Sequence, residues 1–221
     1  MRSFIKHYFI SLLTLITGII SLNSCHSRSN KKDTPVTSEI KPPPQGNEKN
    51  ISYLSVETLQ SFIKLVPAFN ISNKLKFPFD KLIFNKVIAY DFDGSEEPYP
   101  SVFDGVNKFI PIVEKQRALT VAQTKELIDL LTSTTTYGAA TAACFNPHLA
   151  FVFFNNEMSV FKTDICLDCN YLNASEEIPA MHFKKIGKGT ENEYSAIGFS
   201  EKGKSRIKQL ARQLNFFYGE E

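Results

Sequence analysis

Three of the chain's four cysteines fall in one stretch, "CFNPHLAFVFFNNEMSVFKTDICLDC", which runs from Cys144 to Cys169 and includes His148. Three chemistries fit those residue types. Converging cysteines in an oxidising compartment bond as a disulfide, joining Cys144 to Cys166 or Cys169, or joining Cys166 to Cys169. Cys144-x3-His148 with Cys166-x2-Cys169 also supplies three sulfurs and one nitrogen, a closed tetrahedral set suited to structural zinc. A single disulfide leaves one thiol over, which favours the metal, whereas export disfavours free thiolates; the two readings stay open. Thiol–disulfide catalysis of the thioredoxin kind needs its Cys-x-x-Cys at the start of a helix, where the helix N-terminus lowers the thiol pKa. "CLDCNYLNASEEIP" has no apolar helical period, so that third chemistry is set aside.

A second constellation is "VIAYDFDGS", a hydrophobic run ending in Asp91, Phe92, Asp93, Gly94 and Ser95. It resembles the opening motif of haloacid-dehalogenase-type phosphatases. The resemblance implies Asp91 as nucleophile, Asp93 as acid and base, and magnesium held by both, giving metal-dependent phosphoryl transfer. That frame also needs a doubly wound parallel sheet, and the chain after Ser95 reads as hairpins. An EF-hand reading fails on spacing, because position 12 counted from Asp91 is Val102 rather than a glutamate. The plain reading is an exposed turn after a strand, built by Asp, Gly, Ser and Pro98.

The elements that must position these residues follow from periodicity. Leu59, Phe62, Ile63 and Val66 recur at helical spacing and Pro67 ends the run. "KLIFNKVIAYDF" predicts a strand, and "SVFDGVNKFIPIV" predicts one or two short strands around the Asp104-Gly105 turn. Thr120 and Gln123 form a capping box that opens the helix "VAQTKELIDLL". Leu149–Phe154 and Met158–Ile165 flank Asn155-Asn156 and should pair as a hairpin, which brings Cys144, Cys166 and Cys169 together at its open end. Ser200 is the expected N-cap of a last helix with Ile207, Leu210, Ala211, Leu214 and Phe217 on one face; its Lys202, Lys204, Arg206, Lys208 and Arg212 read as a solvated face. Helices and hairpins alternate without βαβ units, so the expected fold class is α+β, a single domain over residues 51–221 with antiparallel hairpins packed against amphipathic helices.

The other end of the chain decides the compartment. "MRSFIKHYFISLLTLITGIISLNSC" carries Arg2 and Lys6, then an apolar run of about 15 residues, short of the roughly 20 that span a bilayer. Its ending, Leu22-Asn23-Ser24-Cys25, resembles the lipobox of bacterial lipoproteins. That resemblance implies removal of residues 1–24 as a signal peptide, thioether attachment of diacylglycerol to Cys25, and acylation of the new amine with a palmitate-like chain. Two or more chains give a stable anchor. Residues 25–50, polar and rich in proline, cannot bury enough surface to fold and read as a lipidated, disordered tether of roughly 25–30 Å. With no aspartate at position +2 after Cys25 and no acidic cluster there, resemblance to Gram-negative sorting rules favours the outer membrane, facing the periplasm. Loss of Arg2 and Lys6 takes the basic count from 25 to 23, against 23 acidic residues. A near-neutral mature chain argues against a nucleic-acid role.

The body, with "YGAATAACFNPHLAFVFF", "ICLDCNYL" and "GFSEKGKSRIKQL", resembles a family of uncharacterised bacterial lipoproteins and exported proteins over roughly Phe84 to Phe217. The specific part is the "CFNPH" and "CLDC" pair. The resemblance implies a shared fold and brings no activity with it. The expectation is a membrane-anchored periplasmic lipoprotein acting as a non-catalytic binding or structural accessory. It would meet the membrane through its N-terminal lipid and need no cofactor beyond the zinc alternative. The competing enzyme reading rests on Asp91 and Asp93.

Overall fold

The computed structural model describes residues 52–71 and 74–217. The leader, Cys25 and the tether lie outside the described residues. In chain order the elements are α1 (Val56–Leu65), β1 (Lys86–Phe92), β2 (Val113–Ala118), α2 (Val121–Leu131), β3 (Tyr137–Ala139), β4 (Leu149–Asn155), β5 (Met158–Cys166), β6 (Tyr171–Ala174), β7 (Lys185–Ile186), β8 (Tyr194–Ser195), β9 (Gly198–Phe199) and α3 (Glu201–Gln213).

Each helix starts where its side chains satisfy the first free amides. Ser55 accepts from the Thr58 amide at the start of α1, and Ser200 accepts from the Gly203 amide at the start of α3. Thr120 and Gln123 bond reciprocally at the start of α2, as the capping box predicts. At the far end of α1, the buried Lys86 ammonium donates to the Ile63 carbonyl at 2.7 Å. This places a cation on a helix C-terminus, where carbonyls lack intrahelical partners.

Five strands in the order β2-β1-β4-β5-β6 form an antiparallel sheet. Its central strands are buried on both faces, so "KVIAYDF" and "LAFVFFN" are apolar without alternation. One face, carrying Val87, Ala89, Phe151, Phe153, Phe161 and Ile165, packs against Leu127, Leu131, Ile207 and Leu210 of α2 and α3. Rings on that face interlock, with Phe79 at 5.2 Å from Phe153 and 4.9 Å from Phe161. The opposite face, carrying Ile88, Tyr90, Phe92, Val152 and Phe154, is covered by Leu59 and Ile63 of α1 and by Val102, Phe103, Phe109 and Ile112. The domain is therefore α+β with a sheet between two layers.

The hairpin forms with a turn one residue later than expected. Asn155 pairs with Met158, and the turn is Asn156-Glu157 with Asn156 at φ 56°, a left-handed conformation asparagine tolerates. The expected strands around Asp104-Gly105 reduce to one bridge between Phe103 and Phe109. Asp104 Oδ1 accepts the Val106 and Lys108 amides at 2.9 and 2.8 Å, so the side chain closes the turn that longer strand pairing would otherwise close.

Candidate functional site

The three cysteines of the described residues meet at the open end of the β4–β5 hairpin. β5 ends at Cys166, and a turn completed by Asn170 at φ 65° brings Cys169 back beneath it. The Cys166 and Cys169 Cα atoms are 5.2 Å apart and the sulfurs are bonded, within the span a disulfide requires. Of the pairings left open by the sequence, the one formed is Cys166–Cys169; Cys144 remains an exposed thiol, with Sγ 3.9 Å from Cys169 Sγ. The short bridge forms because the turn after β5 already sets Cys166 and Cys169 at bonding distance. With a sequence separation of 3, the loop it closes gives only about 2 kcal/mol of chain-entropy stabilisation, less than the roughly 3 kcal/mol of a bridge from Cys144.

Backbone amides converge on these sulfurs. The Asn146 N–H donates to Cys169 Sγ at 3.2 Å and the Cys169 N–H donates to Cys166 Sγ at 3.0 Å. The Ala142 N–H donates to the Cys169 carbonyl at 2.8 Å, fixing the arm that carries Cys144. Phe145 and Tyr171, with ring centroids 4.9 Å apart, cover the bonded pair.

The four residues of the zinc alternative do not converge as a ligand set in this structure. Cys166 and Cys169 are bonded to each other and offer no thiolates. His148 has Nδ1 3.0 Å from the Phe92 carbonyl. Among the described residues no group of three or more His, Cys, Asp or Glu side chains is placed to hold a metal ion.

Asp91 and Asp93 sit at the C-terminal end of β1, each tied to a different neighbour. Lys115 Nζ on β2 is 3.3 Å from Asp91 Oδ2, and the Tyr53 hydroxyl donates to Asp93 Oδ2 at 2.8 Å. The Asp93 bond raises the Tyr53 pKa by favouring the protonated phenol. Glu114 beside them is raised by desolvation first and by the Asp91 charge second. After Asp93 the chain turns: a Cβ at Gly94 would collide with the Pro147 carbonyl, and Glu96 N–H donates to Asn146 Oδ1 at 2.9 Å. The close approach explains glycine there. The phosphatase frame is not built, because every pair in the sheet is antiparallel. The calcium-loop position is Val102, fully buried. Hollows flank α1, one of about 370 Å³ lined by Glu57, Thr58, Ser61, Phe62, Leu65 and Gln116, with neither aspartate in its lining.

One polar cluster is absent from the sequence reading. Lys162 and Asp164 alternate with apolar residues on β5, the pattern of a solvent-facing edge, yet the segment containing Ser101 to Phe109 covers them. Lys162 Nζ donates to Ser101 Oγ at 2.7 Å and lies 3.8 Å from Asp164 Oδ2. Asp164 is 4% exposed. Desolvation pushes its pKa up to about 6, opposed by Lys162, the Ser101 hydroxyl and the Val102 amide.

No protein-family model, curated protein or solved structure matches the chain.

Proposed function

We propose that this chain is a lipid-anchored envelope protein whose α+β domain serves as a non-catalytic binding or structural accessory at the periplasmic face of the outer membrane. The observation that carries the reading is the Cys166–Cys169 disulfide, since such bonds persist in exported compartments. It occurs in a chain whose first 25 residues have the composition and ending of a lipoprotein leader. No helix of the described residues is long and apolar enough to cross a membrane, and on this reading the attachment is the lipid on Cys25. The antiparallel sheet and the separate tethers of Asp91 and Asp93 favour an accessory over phosphoryl transfer.

The experiment compares wild type with Cys25→Ser in membrane fractions, with intact mass on both. The variant should lose its acyl mass and leave the membrane fraction or accumulate as precursor. Unchanged fractionation together with a wild type that carries no acyl group refutes the anchor. Magnesium-dependent hydrolysis of a phosphomonoester by the purified chain, abolished in Asp91→Asn, would replace the accessory reading with the enzymatic one.

A further inference from the structure

We propose that Cys144, Cys169 and Cys166 form a thiol–disulfide exchange site, in which the exposed Cys144 thiolate attacks the buried disulfide and opens it to external thiols. The bonded sulfurs belong to residues 0% and 1% exposed, so a reagent in solvent has little access to either. Cys144 is exposed and its sulfur already lies 3.9 Å from that of Cys169. The Ala142–Cys169 backbone bond holds the arm in that position.

Exchange needs a thiolate, an accessible electrophilic sulfur and a leaving sulfur that can carry charge. Cys144 loses its proton to solvent and attacks Cys169 Sγ, the sulfur 3.9 Å away. A Cys144–Cys169 bond forms, the Cys166–Cys169 bond breaks, and the electron pair departs on Cys166. The Asn146 amide at 3.2 Å polarises the sulfur under attack, and the Cys169 amide at 3.0 Å receives the charge on Cys166. A proton from solvent then neutralises Cys166. One disulfide is exchanged for another, so no oxidant is consumed. The product places a disulfide on the exposed Cys144. A thiol from outside, a small dithiol or a cysteine of another exported chain, attacks that sulfur, forms a mixed disulfide at Cys144 and releases Cys169. The cluster thus couples a shielded disulfide to the surface, independently of whether the chain is lipid-anchored.

The test uses the full chain as purified and has two arms. In the first, wild type is equilibrated at pH 8, quenched in acid, unfolded and alkylated with exchange frozen, and the labelled cysteine is identified by peptide mapping, with Cys25 scored separately. Label on Cys166 as well as Cys144 is expected. In the second, dithiothreitol reduces the native disulfide in wild type and in Cys144→Ser, where the hydroxyl has nearly the size of the thiol but cannot exchange. The variant should be reduced more slowly by about tenfold or more, because its only route is direct attack on buried sulfur. Label confined to Cys144, or equal reduction rates in the two proteins, overturns the proposal. The first arm needs no variant and stands even if Cys144→Ser were to fold poorly.

Discussion

Replacing Asp164 by asparagine should make the domain more stable at neutral pH relative to wild type, and the gain should vanish in acid. Asp164 lies on the face of β5 beneath Ser101 and Val102, opposite Ala150. Its Oδ2 has Lys162 at 3.8 Å, while its Oδ1 is buried with no hydrogen-bond partner in the structure. Desolvation therefore outweighs the ion pair, and the folded pKa of about 6 stands above the ordinary 3.8. Two units at 1.36 kcal/mol each give about 3 kcal/mol. A carboxyl whose folded pKa is raised binds its proton more tightly folded than unfolded. The contribution is fully present below pH 3.8 and is lost as pH rises through about 6. The wild-type minus Asp164→Asn stability difference, from urea unfolding followed by far-ultraviolet circular dichroism between pH 3.5 and 8, should fall by about 3 kcal/mol over that window and be flat above roughly pH 7. A difference independent of pH would refute the reasoning. One that rises with pH would mean that the Lys162 pair, rather than burial, governs the group.

Phe153→Ala should lower the unfolding free energy by about 3–5 kcal/mol, because it removes the ring between Phe79, Phe84 and Phe161; urea titration measures it, and a loss below about 1 kcal/mol would contradict the packing. Gly203→Ala, ordinarily favourable inside a helix by up to about 1 kcal/mol, should instead destabilise by about 1–3 kcal/mol, since the added methyl would collide with the Thr136 carbonyl. Thermal melting gives the sign. Thiol titration of the denatured, unreduced chain should find one free thiol among Cys144, Cys166 and Cys169, and chelator should leave the melting temperature unchanged. Three free thiols with a chelator-sensitive melt would instead establish the zinc site.

What the sequence disclosed was what local rules decide. The apolar stripe of α1, the Thr120–Gln123 box and the Ser200 cap each act within a few residues, so spacing alone places them. The β4–β5 hairpin was legible because two apolar runs flank a pair of asparagines. β2 was not, since "VEKQRA" has too little apolar residue to signal a strand, and only its ladder to β1 makes it one. The burial of Lys162 and Asp164 was not legible for a related reason. Alternation reports which side chains share a face, but a covering segment some 60 residues earlier decides whether that face is wet. The cysteines were brought together correctly by the hairpin, yet spacing could not choose the bonded pair. That choice depends on the turn through Asn170, with its left-handed backbone.

The two ends of the sheet carry a consequence for how this domain can be recognised. Along β2 the outward edge is interrupted where Leu54 N–H already occupies the Val113 carbonyl at 2.7 Å, and the ladder to β1 shifts register between Asp91 and Phe92. At the other end β6 is four residues long, and the chain just before it is engaged by Phe199 N–H on the Asn170 carbonyl at 2.9 Å. A short edge, an irregular edge and charged side chains are the means by which sheets refuse additional strands. Among the described residues, the five-stranded sheet therefore offers a visiting peptide no long, regular backbone ladder to join. A partner that docks on this sheet is left to read side chains rather than a backbone ladder.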